Sequence, residues 1–104
     1  MAVVRVPHNK PWIVNRWAFR TLAERAESFV GLPEDRHKLK QAVALDGLHF
    51  DLLPVDQRAR LALAIEHAAD ELRAEFRNSV TPRDRDFADR LDWLRLALSD
   101  LTGS

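Results

Sequence analysis

The sequence predicts an all-α fold, a compact small bundle of about four helices with a long C-terminal antiparallel hairpin and an extended N-terminal arm, on three observations. The first is a pair of apolar stripes. Ala62, Ile65, Ala69, Leu72 and Phe76 recur at spacings of 3, 4, 3 and 4, and Phe87, Leu91, Leu94, Leu98 and Leu101 at 4, 3, 4 and 3. Each set lies along one face of an α-helix. The second is the punctuation between them. Asn78-Ser79-Val80 is too short for anything but a tight connection, and Thr81, Pro82, Asp84 and Asp86 then supply an N-cap, a first-position proline and first-turn acids. Two long helices joined in this way form an antiparallel hairpin. The third is size: 104 residues, 46% apolar, with three glycines and five prolines, suit one small core and one domain over 1–104.

Taken in order, residues 1–14 carry Pro7 and Pro11 among β-branched side chains. This is an extended arm with room for a short strand at residues 3–6. The helical body covers 15–101. Its first helix is expected near 15–30, with Asn15 as a cap (Pro11 is the alternative start) and Gly31 and Pro33 closing it. Ala18, Leu22, Ala26 and Phe29 define its buried arc. A second helix over 33–45 is supported by Glu34 and Lys38 at i, i+4 and by Leu39, Ala42 and Val43 on one face. Asp46-Gly47 is a turn, and residues 48–53 are read as an extended connector rather than a strand. Helices at about 55–77 and 82–101 complete the chain, which shows no internal repeat and no low-complexity tract.

Lys plus Arg number 16 and Asp plus Glu 16, which removes the global electrostatic argument for nucleic acid or an anionic membrane as partner. The chain has no cysteine, which excludes disulfides, thiolate zinc sites and a cysteine nucleophile and fits a cytoplasmic location. No stretch approaches the roughly 18–20 apolar residues of a membrane span, and residues 1–6 are too short for a secretory signal. Ser28, Ser79, Ser99 and Ser104 have no glycine-flanked elbow or informative histidine, and Gly31, Gly47 and Gly103 are isolated. Neither a catalytic triad nor a phosphate loop is therefore assigned. No catalytic, cofactor-binding or metal residue is assigned, and an enzyme is less expected than not.

Three large apolar side chains fall off the stripes. Trp17 lies among Arg20, Thr21, Glu24 and Ser28 on the first helix, and Trp93 and Leu96 lie beside Asp89, Asp92 and Asp100 on the last. Tryptophan on a polar face is what an interface anchor looks like. It is equally what results when another element of the same chain packs across that face. The first reading makes Trp17 and Trp93 anchors, Leu96 flanking apolar surface and Arg20 and Asp89 rim charges of a partner interface. A homodimer is its most economical form, since a short chain gains buried area by pairing. The expected function is then a non-enzymatic protein-protein interaction or regulatory module: an adaptor, an inhibitor or immunity-type protein, or a subunit of an assembly.

Two other classes are weighed against it. Arg5, Lys10, Arg16 and Arg20 precede the first acid, with Trp12 and Trp17 interleaved, a mixture that suits a small nucleic-acid-binding regulator. Four charges are few, and the favoured reading is a solvated arm whose Trp12 and Ile13 cover the core; a helix-turn-helix drawn through 33–45 runs into Pro54 without a basic recognition face. For metal chemistry, Glu34 and His37 form E-x-x-H without the second copy that a di-iron bundle needs. His67 and Glu71 at i, i+4, next to Asp70, suit a surface pair as well as a ligand set. Glu24 and Glu27 give E-x-x-E, and Asp86, Asp89 and Asp92 repeat every third residue. This resembles the all-α nucleoside triphosphate pyrophosphohydrolases, whose helices carry E-x-x-E and E-x-x-D. The resemblance implies magnesium-dependent phosphate hydrolysis, with Glu24, Glu27, Asp86 and Asp89 converging. The chain departs from that pattern because no E-x-x-D follows, Glu66 and Asp70 are one residue too far apart, and Arg25, Arg85 and Arg90 stand close enough to neutralise the acids.

Overall fold

A computed structural model describes residues 1–99 and Leu101. In chain order these form β1 (Ala2–Arg5), β2 (Trp12–Val14), α1 (Arg16–Glu27), α2 (Pro33–Leu45), β3 (Gly47–His49), a 3-10 turn (Phe50–Leu52), α3 (Val55–Arg77) and α4 (Pro82–Ser99). The expectation of a mostly helical fold with four helices holds, and one point is corrected: the arm and the connector together build a three-stranded sheet.

The reason is a period of two that the short strands barely display. Ala2, Val4 and Val6 are buried while Arg5 is exposed, and Trp12 and Val14 are buried around an exposed Ile13. Each strand thus has one apolar face to cover. The turn between them is closed by His8 at φ 66° and by Asn9, whose main-chain N–H donates to Val6 O at 3.1 Å. β1 pairs antiparallel with β2, setting Val3 against Ile13, and parallel with β3, setting Val4 against Leu48. β3 starts because Asp46 ends α2 in the left-handed region at φ 54° and turns the chain back, where its carbonyl accepts from Val3 N at 3.1 Å. Gly47 allows a close approach there: a Cβ at this position would stand 3.3 Å from Val3 O, tighter than an ordinary contact.

α2 and α3 have the bounds read from the sequence, and α4 is described as far as Ser99, with Leu101 in a turn; Asp100, invoked above beside Trp93, lies outside the described residues. The two stripes meet as expected. Ala62, Ile65, Ala69 and Leu72 are buried with Phe76 partly so, against Phe87, Leu91, Leu94 and Leu98 with Leu101 partly so. At the start of α4, Thr81 contributes its main-chain carbonyl to Asp84 and Arg85 N–H, while the side-chain bonds run through Ser79, which donates to Asp84 Oδ2 and accepts from Thr81 N.

α1 is shorter than expected. Its Asn15 cap is present, Oδ1 accepting from Ala18 N at 2.8 Å, but the helix stops at Glu27. Phe29 therefore leaves the helical face it was assigned to and lies 38% exposed, stacked on His67, and Val30 is buried instead. Asn15→Ala is expected to cost about 1 kcal/mol, read as a lower urea midpoint with an unchanged slope.

α2 and α3 are clasped by charge. Asp35 is buried and accepts from Arg60 Nε at 2.8 Å, Arg60 Nη2 at 3.1 Å and Gln57 Nε2 at 3.3 Å. The Arg60 guanidinium holds its carboxyl below the usual aspartate value against the opposing effect of burial.

Candidate functional site

The edge strand β2 lies along α4, two hydrogen bonds lash the two together, and a third within α4 holds the arginine that makes them. The Trp12 indole N–H donates to Arg90 O at 2.8 Å, Arg90 Nη1 donates to Ile13 O at 3.0 Å, and Arg90 Nε donates to Asp86 Oδ2 at 2.9 Å. Around this tie lie two adjoining clefts. The larger, about 380 Å³, has Met1, Ile13, Trp17, Phe87, Arg83 and Asp86 among its walls, and the smaller, about 250 Å³, is formed by Lys10, Pro11, Trp12, Ile13, Arg90 and Trp93. Ile13 and Arg90 line both, so they form the divide between two halves of one groove.

The sequence-derived anchors divide across this groove. Trp17 is 37% exposed. One side of its ring packs on Phe76 and Phe87 at centroid distances of 6.0 and 5.3 Å, and the Arg83 guanidinium stands 4.5 Å over the ring. Packing within the chain therefore covers part of Trp17, and the remainder is a wall of the larger cleft. Trp93 is 40% exposed and walls the smaller one. Leu96, one helical turn further along α4, is 62% exposed. Arg20 is exposed one turn after Trp17 and is not among the residues lining either cleft. Asp89 lines a separate hollow of about 160 Å³ with Arg73, Arg77 and Arg85.

Sequence reasoning missed Ile13 and the cationic rim. A signal was present: Arg83, Asp86, Arg90 and Trp93 recur at 3, 4 and 3, a second face of α4 beside the apolar seam. The charges on the groove are lopsided. Lys10, Arg83 and Arg90 face it, against Asp86, which Arg90 already holds, and Arg83 in turn stands 3.7 Å from Asp84.

The acidic sets assigned to other chemistry are drawn into different pairings. Glu34 pairs with Arg60 at 3.2 Å, Asp70 with Arg73 at 3.1 Å, and Arg25 bridges from α1 to Glu71 at 3.0 Å and to Glu75. Asp86 and Asp89 open onto different hollows. Among the described residues no three His, Asp or Glu side chains gather as a metal-holding group. The basic arm is also divided: Trp12 is buried, and Arg16 pairs with Asp46 at 2.8 Å. Among the described residues no helix is long and apolar enough to cross a membrane.

Compared with known protein families, curated proteins and solved structures, the chain has no match.

Proposed function

We propose that this chain is a non-enzymatic protein-interaction module that holds an apolar segment of a polypeptide partner across the groove between β2 and α4. The observation that carries it is the pair of adjoining clefts walled by half-exposed Trp17, Trp93 and Ile13. Large aromatics that are rigid, partly desolvated and set in a concavity supply most of the binding energy of protein interfaces. A cytoplasmic role as an adaptor or as a subunit of an assembly accompanies this reading, consistent with the lack of cysteine.

The test is selection of a random displayed peptide library on the wild-type protein, with counter-selection on Trp93→Ala. Peptides that bind the wild type and lose about tenfold or more in affinity for the variant, about 1.4 kcal/mol, are the expected result. Trp93→Ala is expected to keep its helicity by circular dichroism, since the side chain is 40% exposed. An unfolded variant, or peptides indifferent to the substitution, would remove the groove from the function.

A further inference from the structure

We propose that the segment this groove takes is supplied by a second copy of the chain, the acidic, aliphatic shoulder at residues 51–56, so that copies associate head to tail. The proposal rests on the interaction reading above and names its occupant.

The shoulder gathers two of the most exposed aliphatic side chains of the surface in one short segment. It reads Asp-Leu-Leu-Pro-Val-Asp. Leu52 is 77% exposed and Val55 74%, while Leu45, 72% exposed, shares a shallow depression with Leu52. Asp51, Pro54 and Asp56 are exposed as well. Leu52 and Val55 at this exposure leave most of their apolar surface open to a partner. The shoulder is also rigidly presented: Arg58 donates through Nε to Phe50 O at 2.8 Å and through Nη2 to Leu53 O at 3.2 Å and Asp51 O at 3.4 Å. Little ordering entropy would remain to be lost on docking.

Charge selects the pairing. The shoulder presents Asp51 and Asp56, and the groove presents Lys10 beyond the internal Arg90–Asp86 pair and the longer Arg83–Asp84 contact at 3.7 Å. Lys38 and Arg58 adjoin the shoulder, but Arg58 is committed to the three carbonyls and Lys38 lies on the α2 side of the depression. Groove against groove in a two-fold pair would bring the cationic rims together, which like-charge repulsion opposes. The sheet order β2-β1-β3 puts the groove at one edge and the strand leading into the shoulder at the other. One chain therefore offers the two surfaces in different directions, the geometry of a heterologous contact that closes into a ring or runs on as a chain. The formal net charge of zero leaves no overall repulsion between copies.

The experiment is light scattering coupled to size exclusion over a broad concentration series, at low and high salt, on the full chain. It compares the wild type, a shoulder variant (Leu52→Ser with Val55→Ser), a cleft variant (Trp93→Ala, with Lys10→Glu as a second version that leaves all packing in place) and the control Val80→Ser, at an exposed site outside both surfaces. The wild type and the control are expected to gain mass with concentration and to lose it in high salt, and each variant to stay monomeric. The equimolar mixture of shoulder and cleft variants is the decisive arm. One competent cleft then meets one competent shoulder, so the mass should double and stop there. A wild type monomeric throughout overturns the proposal, as does an association that the variants leave intact or a mixture that stays monomeric while the wild type associates. Displayed peptides that still bind in a Trp93-dependent manner to a monomeric wild type would leave the interaction reading standing and remove only the second copy as occupant.

Discussion

Arg60→Ala is expected to destabilise the fold at neutral pH, because it leaves the buried Asp35 carboxylate without its main partner, and to cost more than Asp35→Asn at the other end of the same pair. The asymmetry follows from burial. Asp35 is 1% exposed, whereas Arg60 lies near the surface with a side chain 39% exposed. Without Arg60 the carboxylate keeps one donor, Gln57 at 3.3 Å, and must stay charged in an apolar setting or take up a proton. Without the carboxylate, the guanidinium can turn to water. Acid separates the two states further. In the wild type the folded Asp35 pKa is lowered, chiefly by the Arg60 hydrogen bonds. The stabilisation it brings is therefore complete above the unfolded value, about 3.9, and is lost as pH falls through the folded value. In Arg60→Ala burial is opposed only by the weaker effect of the Gln57 hydrogen bond and raises the pKa, so falling pH relieves the penalty. Urea unfolding of both proteins at neutral and mildly acidic pH should show a gap that narrows toward acid. A gap that is constant or widens would mean that Arg60 acts through its alkyl stem alone.

How much of this molecule could be read from its sequence depended on how far each element reaches for its partners. α3 and α4 were legible because a stripe such as Phe87, Leu91, Leu94 and Leu98 repeats within the element itself, and Thr81-Pro82 marks its start locally. The strands were not. β1 and β3 are 4 and 3 residues long, too short for alternation to outvote an extended arm, and β3 exists only because Val3 and Val4 come from the far end of the chain to pair with it. Trp17 shows the same limit at the site. Its place off the α1 stripe was visible, but Phe76 and Phe87, which it packs against, had already been assigned to the α3–α4 seam, and Arg83 carried no mark of a ring contact. Trp12 shows it most clearly: the reading that it covers the core holds, but the carbonyl its indole donates to lies 78 positions away and left no local mark.

That long-range bond makes Trp12 the residue on which fold and groove most directly depend. Trp12→Ala is expected to cost about 3–5 kcal/mol, the range for deleting a buried aromatic, since the ring is 3% exposed and belongs to the main core. Trp12→Phe keeps most of the packing and removes the indole donor, which is expected to cost about 0.5–1.5 kcal/mol. The Arg90 carbonyl sits inside α4, where the helix supplies its own donor, so the loss leaves no unsatisfied buried group. The comparison separates packing from register. If the indole bond fixes how β2 sits along α4, Trp12→Phe should lose affinity for groove-selected peptides by more than its small loss of stability suggests, because Ile13 and Arg90, the divide between the clefts, are positioned by the same tie. A Phe variant that matches the wild type in binding would mean that the Arg90 to Ile13 hydrogen bond positions the groove unaided, and Trp12 would then serve the core alone.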